Sequence, residues 1–418
     1  MFFNSIEFLL FLPMVLIIYY ILPVKVRHYW LLASSYYFYM CWNAKYAVLI
    51  FASTLITYLS GLALDRAKMS KCEEAKTRVR KKIIVAISFI SNLSILFYFK
   101  YFNFVIESMC KTFRFAHINL NIPSFDILLP VGISFYTFQA LSYTMDVYRD
   151  EIYAERDFFR YALFVSFFPQ LVAGPIERSK NLLTQLAEPK KFDFDNAREG
   201  LLLMLWGFFL KIVIADRISI FVDTVYTEQH IYGGFYLLVA TVLFAFQIYC
   251  DFYGYSSIAM GTAKMLGISL MENFNAPYLA ESVSEFWRKW HISLTSWFKD
   301  YLYIPLGGSR KGKLRKYLNK LIVFLVSGLW HGAQWSFVAW GGINGLYQII
   351  GEILQPARDK AVSLLKLNRN TFSHRMMHIA CTFALVDLSW IFFRANRFLD
   401  AFNIIKSIFT AKKYKYII

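Results

Sequence analysis

Apolar runs long enough to cross a bilayer recur along this chain, and that recurrence limits its fold more than anything else in it. A hydrocarbon core of about 30 Å takes ~20 helical residues, and inside it every backbone polar group must be bonded within the protein. Stretches such as Ile83–Ile106 meet that demand, which predicts an all-α polytopic membrane protein. Composition agrees: with 57% hydrophobic and 17% charged residues, a soluble domain would lack the polar surface to cover its core. The net charge of +17 resembles a nucleic-acid signal until its positions are read. The basic residues cluster in short loops between apolar runs, the positive-inside pattern, so membrane lipid is the expected partner and nucleic acid is not.

Taken in order, Ser5–Leu22 reads as a first membrane helix rather than a cleaved signal, since no basic segment precedes it and Glu7 lies near its start. Tyr29–Trp42 and Ala47–Leu64 form a hairpin that returns to a cytoplasmic loop, Asp65–Lys82, with eight Lys/Arg against three acids. Ile83–Ile106 crosses outward, and an outer loop runs to about Leu128. Pro130–Arg149 is an aromatic segment. Tyr161–Ile176 is short and broken by Pro169, Gly174 and Pro175, which fits a re-entrant segment packed in protein. Glu177–Glu199 reads as a loop or surface helix, Gly200–Ile214 and Phe235–Cys250 as spans, Glu272–Lys320 as interfacial, and His374–Ala395 as one more span before a Lys-rich tail. The five cysteines are scattered and suit neither a disulfide framework nor a zinc site.

Two histidines carry the chemistry. His331 lies within the apolar stretch Asn319–Leu354, eleven residues beyond Lys320. At 1.5 Å per helical residue that is roughly 16 Å, near mid-membrane if Lys320 marks the edge. Trp330, Trp335 and Trp340 surround it in sequence, and Gly328 and Gly332 permit close approach of backbone or substrate. Desolvation favours the neutral imidazole, the form a general base for a hydroxyl requires. The competing reading is a histidine that bridges two helices. Ser282 and Glu285 have capping-box spacing, so a helix is expected to start there. Its helical wheel puts Trp287, Trp290, His291, Leu294, Phe298 and Tyr301 on one face and charged residues on the other, as in an amphipathic interfacial helix. His291 is then either a packed core histidine or a second active-site residue.

Other constellations are weaker. No G-x-S-x-G elbow or H-E-x-x-H occurs. His374 and His378 share a helical face, but no third ligand or base is near in sequence, so they read as interfacial histidines and no metal is expected. Gly307–Leu314 nearly matches a P-loop, yet Leu314 replaces the required hydroxyl residue. Its Arg310, Lys311 and Lys313 are either flanking positive-inside charge or contacts for the phosphates of a nucleotide-bearing donor. Asp251 ends the Phe235–Cys250 span, where an anion needs a partner such as Arg288 or a hydroxyl.

At these residues the chain resembles the membrane-bound O-acyltransferase family, in particular its bacterial alginate O-acetylation branch. The matching stretches are Phe167–Leu186 (FFPQLVAGPIERSKNLLTQL), Asp251–Gly261 (DFYGYSSIAMG), Glu272–Gly308 and Gly328–Leu346 (GLWHGAQWSFVAWGGINGL). The resemblance implies one integral-membrane domain over 1–418, with N-terminal helices in 1–107, a catalytic core in 129–354 and C-terminal helices in 355–418. It implies roughly 9–12 membrane and re-entrant helices around a central tunnel. His331 would be catalytic and His291 a second active-site residue. Asp251, Trp287, Trp290, Trp330, Trp335, Ser256 and Gln139 would line the substrate path. The expected reaction moves an acyl group, most simply acetyl, from a cytoplasmic thioester to a hydroxyl of an extracytoplasmic cell-envelope polysaccharide (alginate-type, other exopolysaccharide or peptidoglycan) or to a secreted acyltransferase partner. The donor would be acetyl-CoA or an acyl-carrier-protein thioester, with no permanently bound cofactor, in a bacterial inner membrane. Two alternatives stand beside it: D-alanyl transfer to teichoic acid, and a non-enzymatic polysaccharide or lipid transporter, although no paired repeats with broken helices are visible.

Overall fold

The computed structural model describes residues 1–69, 74–118, 122, 128–172 and 174–410. Among them the regular structure is helical, apart from one isolated antiparallel bridge between Phe274 and Trp290. Four helical stretches are long and apolar enough to cross a membrane: Ala44–Met69, Glu74–Phe115, Gly234–Met265 and Phe372–Arg394. Cys41, Cys110, Cys250 and Cys381 are free thiols. Cys72 and the Lys-rich tail lie outside the described residues.

The chain divides into two compact units, Met1–Phe208 with Tyr255–Met271, and Phe209–Gly254 with Glu272 onward. In the first, Ile6–Ile21, Val24–Met40 and Ala47–Met69 replace the expected opening helices with small shifts of boundary. The expected loop Asp65–Lys82 is much shorter than predicted. Helix continues to Met69 and resumes at Glu74, because Arg, Lys and Glu propagate a helix in water as well as apolar residues do in lipid. The Ile133–Tyr148 helix is buried almost throughout. Every residue from Tyr161 to Leu171 is buried, and the helix breaks at Phe167 before the Pro169 turn, the broken and protein-packed form expected of this segment. Gly200 and Gly261 let two helices touch: a Cβ on either would come within 2.7 Å of the other's carbonyl oxygen.

In the second unit Gly312–His331 and Trp335–Ile353 form a tight helical hairpin. Gly328 and Gly341 make that closeness possible, since a Cβ on either would lie 2.2 Å from the facing carbonyl oxygen of Phe337 or Phe324. Gly332 faces the Phe337 ring in the same way. The glycines around His331 therefore serve helix packing rather than substrate approach. Lys316 and Lys320 both pair with Glu352 across the hairpin. The Gly234–Met265 helix continues fifteen residues past the expected end at Cys250. A π-helical segment at Phe209–Ala215 places Lys211 at 2.5 Å from Asp251 and 2.8 Å from Asp216.

Candidate active site

His291 owes its place to a break in what the sequence reads as one helix. Ser282 caps Val283–Lys289, its hydroxyl accepting from the Glu285 N–H at 3.2 Å, as the capping-box spacing predicts. The helix then stops at Trp290, and a second one begins at Ile292. Between them His291 adopts a left-handed backbone with φ 44°. The periodicity of the aromatic residues gave no sign of this break, because Asn273–Asn275, remote in sequence, makes it. Ile292 N–H donates to the Asn273 carbonyl at 2.9 Å, and Asn275 N–H to the Lys289 carbonyl at 3.0 Å. A short antiparallel pairing thus supplies partners that the helix gives up.

The same Asn273 orients the imidazole. Its buried Oδ1 accepts from the Ser293 hydroxyl at 2.6 Å and the Ser293 N–H at 3.3 Å, and faces His291 Nδ1 at 3.4 Å. With the hydroxyl proton committed to Asn273, the Ser293 oxygen 3.5 Å from Nδ1 also presents a lone pair. Both neighbours of Nδ1 are acceptors, so the proton sits on Nδ1 and Nε2 carries the lone pair. Burial, and secondarily His331, hold the pKa of His291 well below the usual histidine value. The ring is neutral at pH 7.

His331 is the last residue of the first hairpin helix and is half-buried. Its ring centroid lies 6.4 Å from that of His291. Trp330, Trp340 and Phe393 surround it with centroids at 5.0, 5.1 and 5.4 Å, each nearly perpendicular to it. Behind this cage Trp340 stacks on Trp390 at 5.7 Å, and Trp287 donates to Asn344 Oδ1 at 3.2 Å. Phe252 meets His291 edge-on at 4.6 Å.

Both imidazoles line one cavity of about 330 Å³. Lys320, Val323, Phe324, Ser327 and His331 line it from one helix, and their spacing forms a single stripe along the helix face. The cavity therefore follows the helix for roughly 16 Å from the Lys320 position to His331. Trp287, Leu294 and Phe298 supply apolar wall; Ser284, Thr295, Ser327 and Gln348 supply polar groups. Its ionisable lining is Arg288, Lys299, Tyr303, Lys320 and the two histidines, with no carboxylate. A second cavity of about 590 Å³, lined in part by Lys316, Arg358, His378 and Cys381, shares Ser284, Arg288 and Gln348 with the first.

The remaining predicted positions fall as follows. Trp287 lines the cavity. Trp290 is buried behind it on Phe286 and Trp390, and Trp330 packs on both histidines. Trp335 is 56% exposed at the start of its helix, so chain neighbourhood misplaces it. Asp251 sits mid-helix and pairs with Lys211, instead of ending a helix and pairing with Arg288. Gln139 and Ser256 are buried in the other unit, where Gln139 donates to the Phe164 carbonyl at 2.6 Å. Arg310, Lys311 and Lys313 are exposed and absent from the cavity wall, which takes Arg288, Lys299 and Lys320 instead. Asn319 fixes their loop by donating to the Gly308 carbonyl at 2.9 Å. Sequence reasoning missed Asn273 as the orienting group.

The family model described as membrane-bound O-acyltransferase matches residues 28–382, a span that includes both histidines. The chain belongs to the membrane-bound O-acyltransferase family. It is 37% identical over 400 residues to the probable alginate O-acetylase AlgI of Pseudomonas syringae pv. tomato, covering 95% of this chain and 73% of that one. It is 31% identical over 432 residues to the peptidoglycan O-acetyltransferase of Helicobacter pylori, covering 95% and 77%. Similarity to the teichoic acid D-alanyltransferase of Streptococcus thermophilus is lower, 28% over 283 residues, covering 63% and 68%. The protein is thus an acyltransferase of multi-pass membrane type, and the transporter alternative gives way.

Proposed function

We propose that this protein transfers an acyl group, most simply acetyl, from a cytoplasmic thioester to a hydroxyl of an extracytoplasmic cell-envelope polysaccharide or to a secreted partner that completes the transfer, in a bacterial inner membrane. The observation that carries this reading is the pairing of His331 and His291 on one aromatic-walled cavity whose charged lining is wholly cationic. In this reading the acceptor oxygen attacks the thioester carbonyl carbon while His331 takes the hydroxyl proton. The tetrahedral intermediate collapses with cleavage of the C–S bond, and the proton passes to the departing sulfur. His331 becomes an imidazolium when it takes that proton and returns to neutral when the proton reaches the sulfur, so the side chain is regenerated in each turnover. His291, neutral and held by Asn273, positions the donor through Nε2. The aromatic cage limits water and so limits hydrolysis of the thioester.

Arg288 and Lys299, beside a Lys320 already paired with Glu352, suit the phosphates of an acetyl-CoA or carrier-bound donor, both of which present a phosphate ester. The O-acetyl relatives align over 95% of the chain and the D-alanyl relative over 63%, which favours acetyl. The experiment replaces His331 with Ala and measures the acyl ester released by mild base from purified envelope polymer. Loss of acetate with normal protein levels is expected. Unchanged acetate refutes the catalytic assignment, and release of D-alanine refutes the acetyl one.

A further inference from the structure

We propose that a separate cavity in the N-terminal unit binds the phosphate of an anionic phospholipid. This cavity has a volume of about 260 Å³ and no part in the chemistry described above. Lys25, Arg27, His28, Arg160 and Lys190 line it, and Glu188 is its one acidic lining residue. Some of that charge is already balanced. Lys190 pairs with Glu188 at 2.8 Å, Arg160 lies 3.4 Å from Glu155 and 3.6 Å from Asp157, and His28 lies 3.7 Å from Asp157.

Arg27 and Lys25 are different. The Arg27 guanidinium donates to three backbone carbonyls, those of Leu22, Tyr20 and Lys190, and packs over the Tyr19 and Tyr20 rings at 5.1 and 5.7 Å. Carbonyl dipoles fix its position without neutralising it. Among the described residues neither Arg27 nor Lys25 forms a salt bridge with a carboxylate. A rigid, half-buried guanidinium facing a cavity is matched by a phosphate oxygen pair.

The surroundings select lipid over free phosphate. Leu31, Leu163, Leu186 and Ile268 form apolar wall beside the cations. Ile17 and Ile21, on the helix that ends just before Arg27, are 60% and 77% exposed. Ile17 and Ile21 belong to the same helix as Tyr19, which lines the cavity, so one helix carries both a wall of the charged pocket and bare aliphatic surface. Basic pockets between membrane helices on the cytoplasmic side hold acidic headgroups on the same grounds.

The test uses the full-length protein in detergent and follows its thermal unfolding with added dioleoyl phosphatidylglycerol, dioleoyl phosphatidylcholine or inorganic phosphate. Phosphatidylglycerol is expected to raise the midpoint at concentrations where the other two do not. In Lys25→Gln/Arg27→Gln the half-maximal concentration should rise about 25-fold, or about fivefold per charge. Lys111→Gln, a change to an exposed lysine elsewhere in the unit, should leave it unchanged. Should the double variant fail to fold, Lys25→Gln alone, at an exposed position, should give the fivefold change. Equal stabilisation by phosphatidylcholine or inorganic phosphate, or an unaltered phosphatidylglycerol response in the variants, overturns the proposal.

Discussion

Two pairs of histidines occur in the C-terminal unit, and they differ in almost every respect. His374 and His378 lie one turn apart on one helix, with Nε2 atoms 3.1 Å from each other. That closeness is a property of helix geometry alone, and the rings satisfy one another near the water-exposed start of a span. His291 and His331 are forty residues apart in sequence and 6.4 Å apart in space, brought together by a broken helix and a hairpin tip. They face a common cavity. Sequence spacing signals the first pair, whereas shared access to an enclosed space marks the second. Proximity of two imidazoles is therefore a poor guide to chemistry unless a third body can come between them.

Substitutions should separate the pairs by orders of magnitude. His331→Ala is expected to lower acyl transfer by about 10²–10⁴-fold, the range for loss of a general base, as measured by ester content of the envelope polymer. Asn273→Ala frees the His291 ring and should lower turnover by about tenfold, the worth of a buried hydrogen bond. Adding His291→Gln to Asn273→Ala should then cost less than His291→Gln does alone, because both act through one ring. A non-additive result of this kind distinguishes orientation from general damage to the fold.

A smaller effect at His291 is read through pH. Because the folded protein holds His291 below its ordinary value of about 6.5, the unfolded chain binds more protons in the window beneath that value. Stability should fall as pH drops below about 6.5, and His291→Gln should flatten that slope in a detergent unfolding series. An unchanged slope would place the sensitivity elsewhere. The smallest effect belongs to the helical pair: His374→Ala/His378→Ala should leave acyl transfer within about twofold, because neither ring lines the cavity of His291 and His331. A loss comparable to that of His331→Ala would break the distinction.

Much of this architecture was legible in the chain. Apolar length identified the spans, and the broken Tyr161–Leu171 segment was readable from Pro169 and its neighbours. His331 and His291 stood out because ionisable groups in apolar aromatic settings need a reason. What escaped notice was long-range. Nothing in the spacing of Trp287, Trp290 and Leu294 reveals that the helix stops at His291, since the apolar face continues in phase across the break. Asn273 looks like an ordinary loop residue until Ser293 and His291 converge on it. Charge is densest in the run after Gly308, yet Arg288, Lys299 and Lys320 reach the cavity singly from three elements. Asp251 lies within a helix that runs on past Cys250, and its partner Lys211 comes from a π-helical turn that periodicity does not foretell.

The left-handed backbone of His291 has a consequence for how this protein would respond to selection. A residue with a Cβ gives up about 1–2 kcal/mol in that conformation, which glycine would not and asparagine would in smaller measure. A library sorted for thermal tolerance alone would find favourable backbone replacements at position 291, at the expense of the imidazole. In the proposed reading, sorting for retained ester formation would restore histidine, so sturdiness and turnover would pull in opposite directions at a single φ angle.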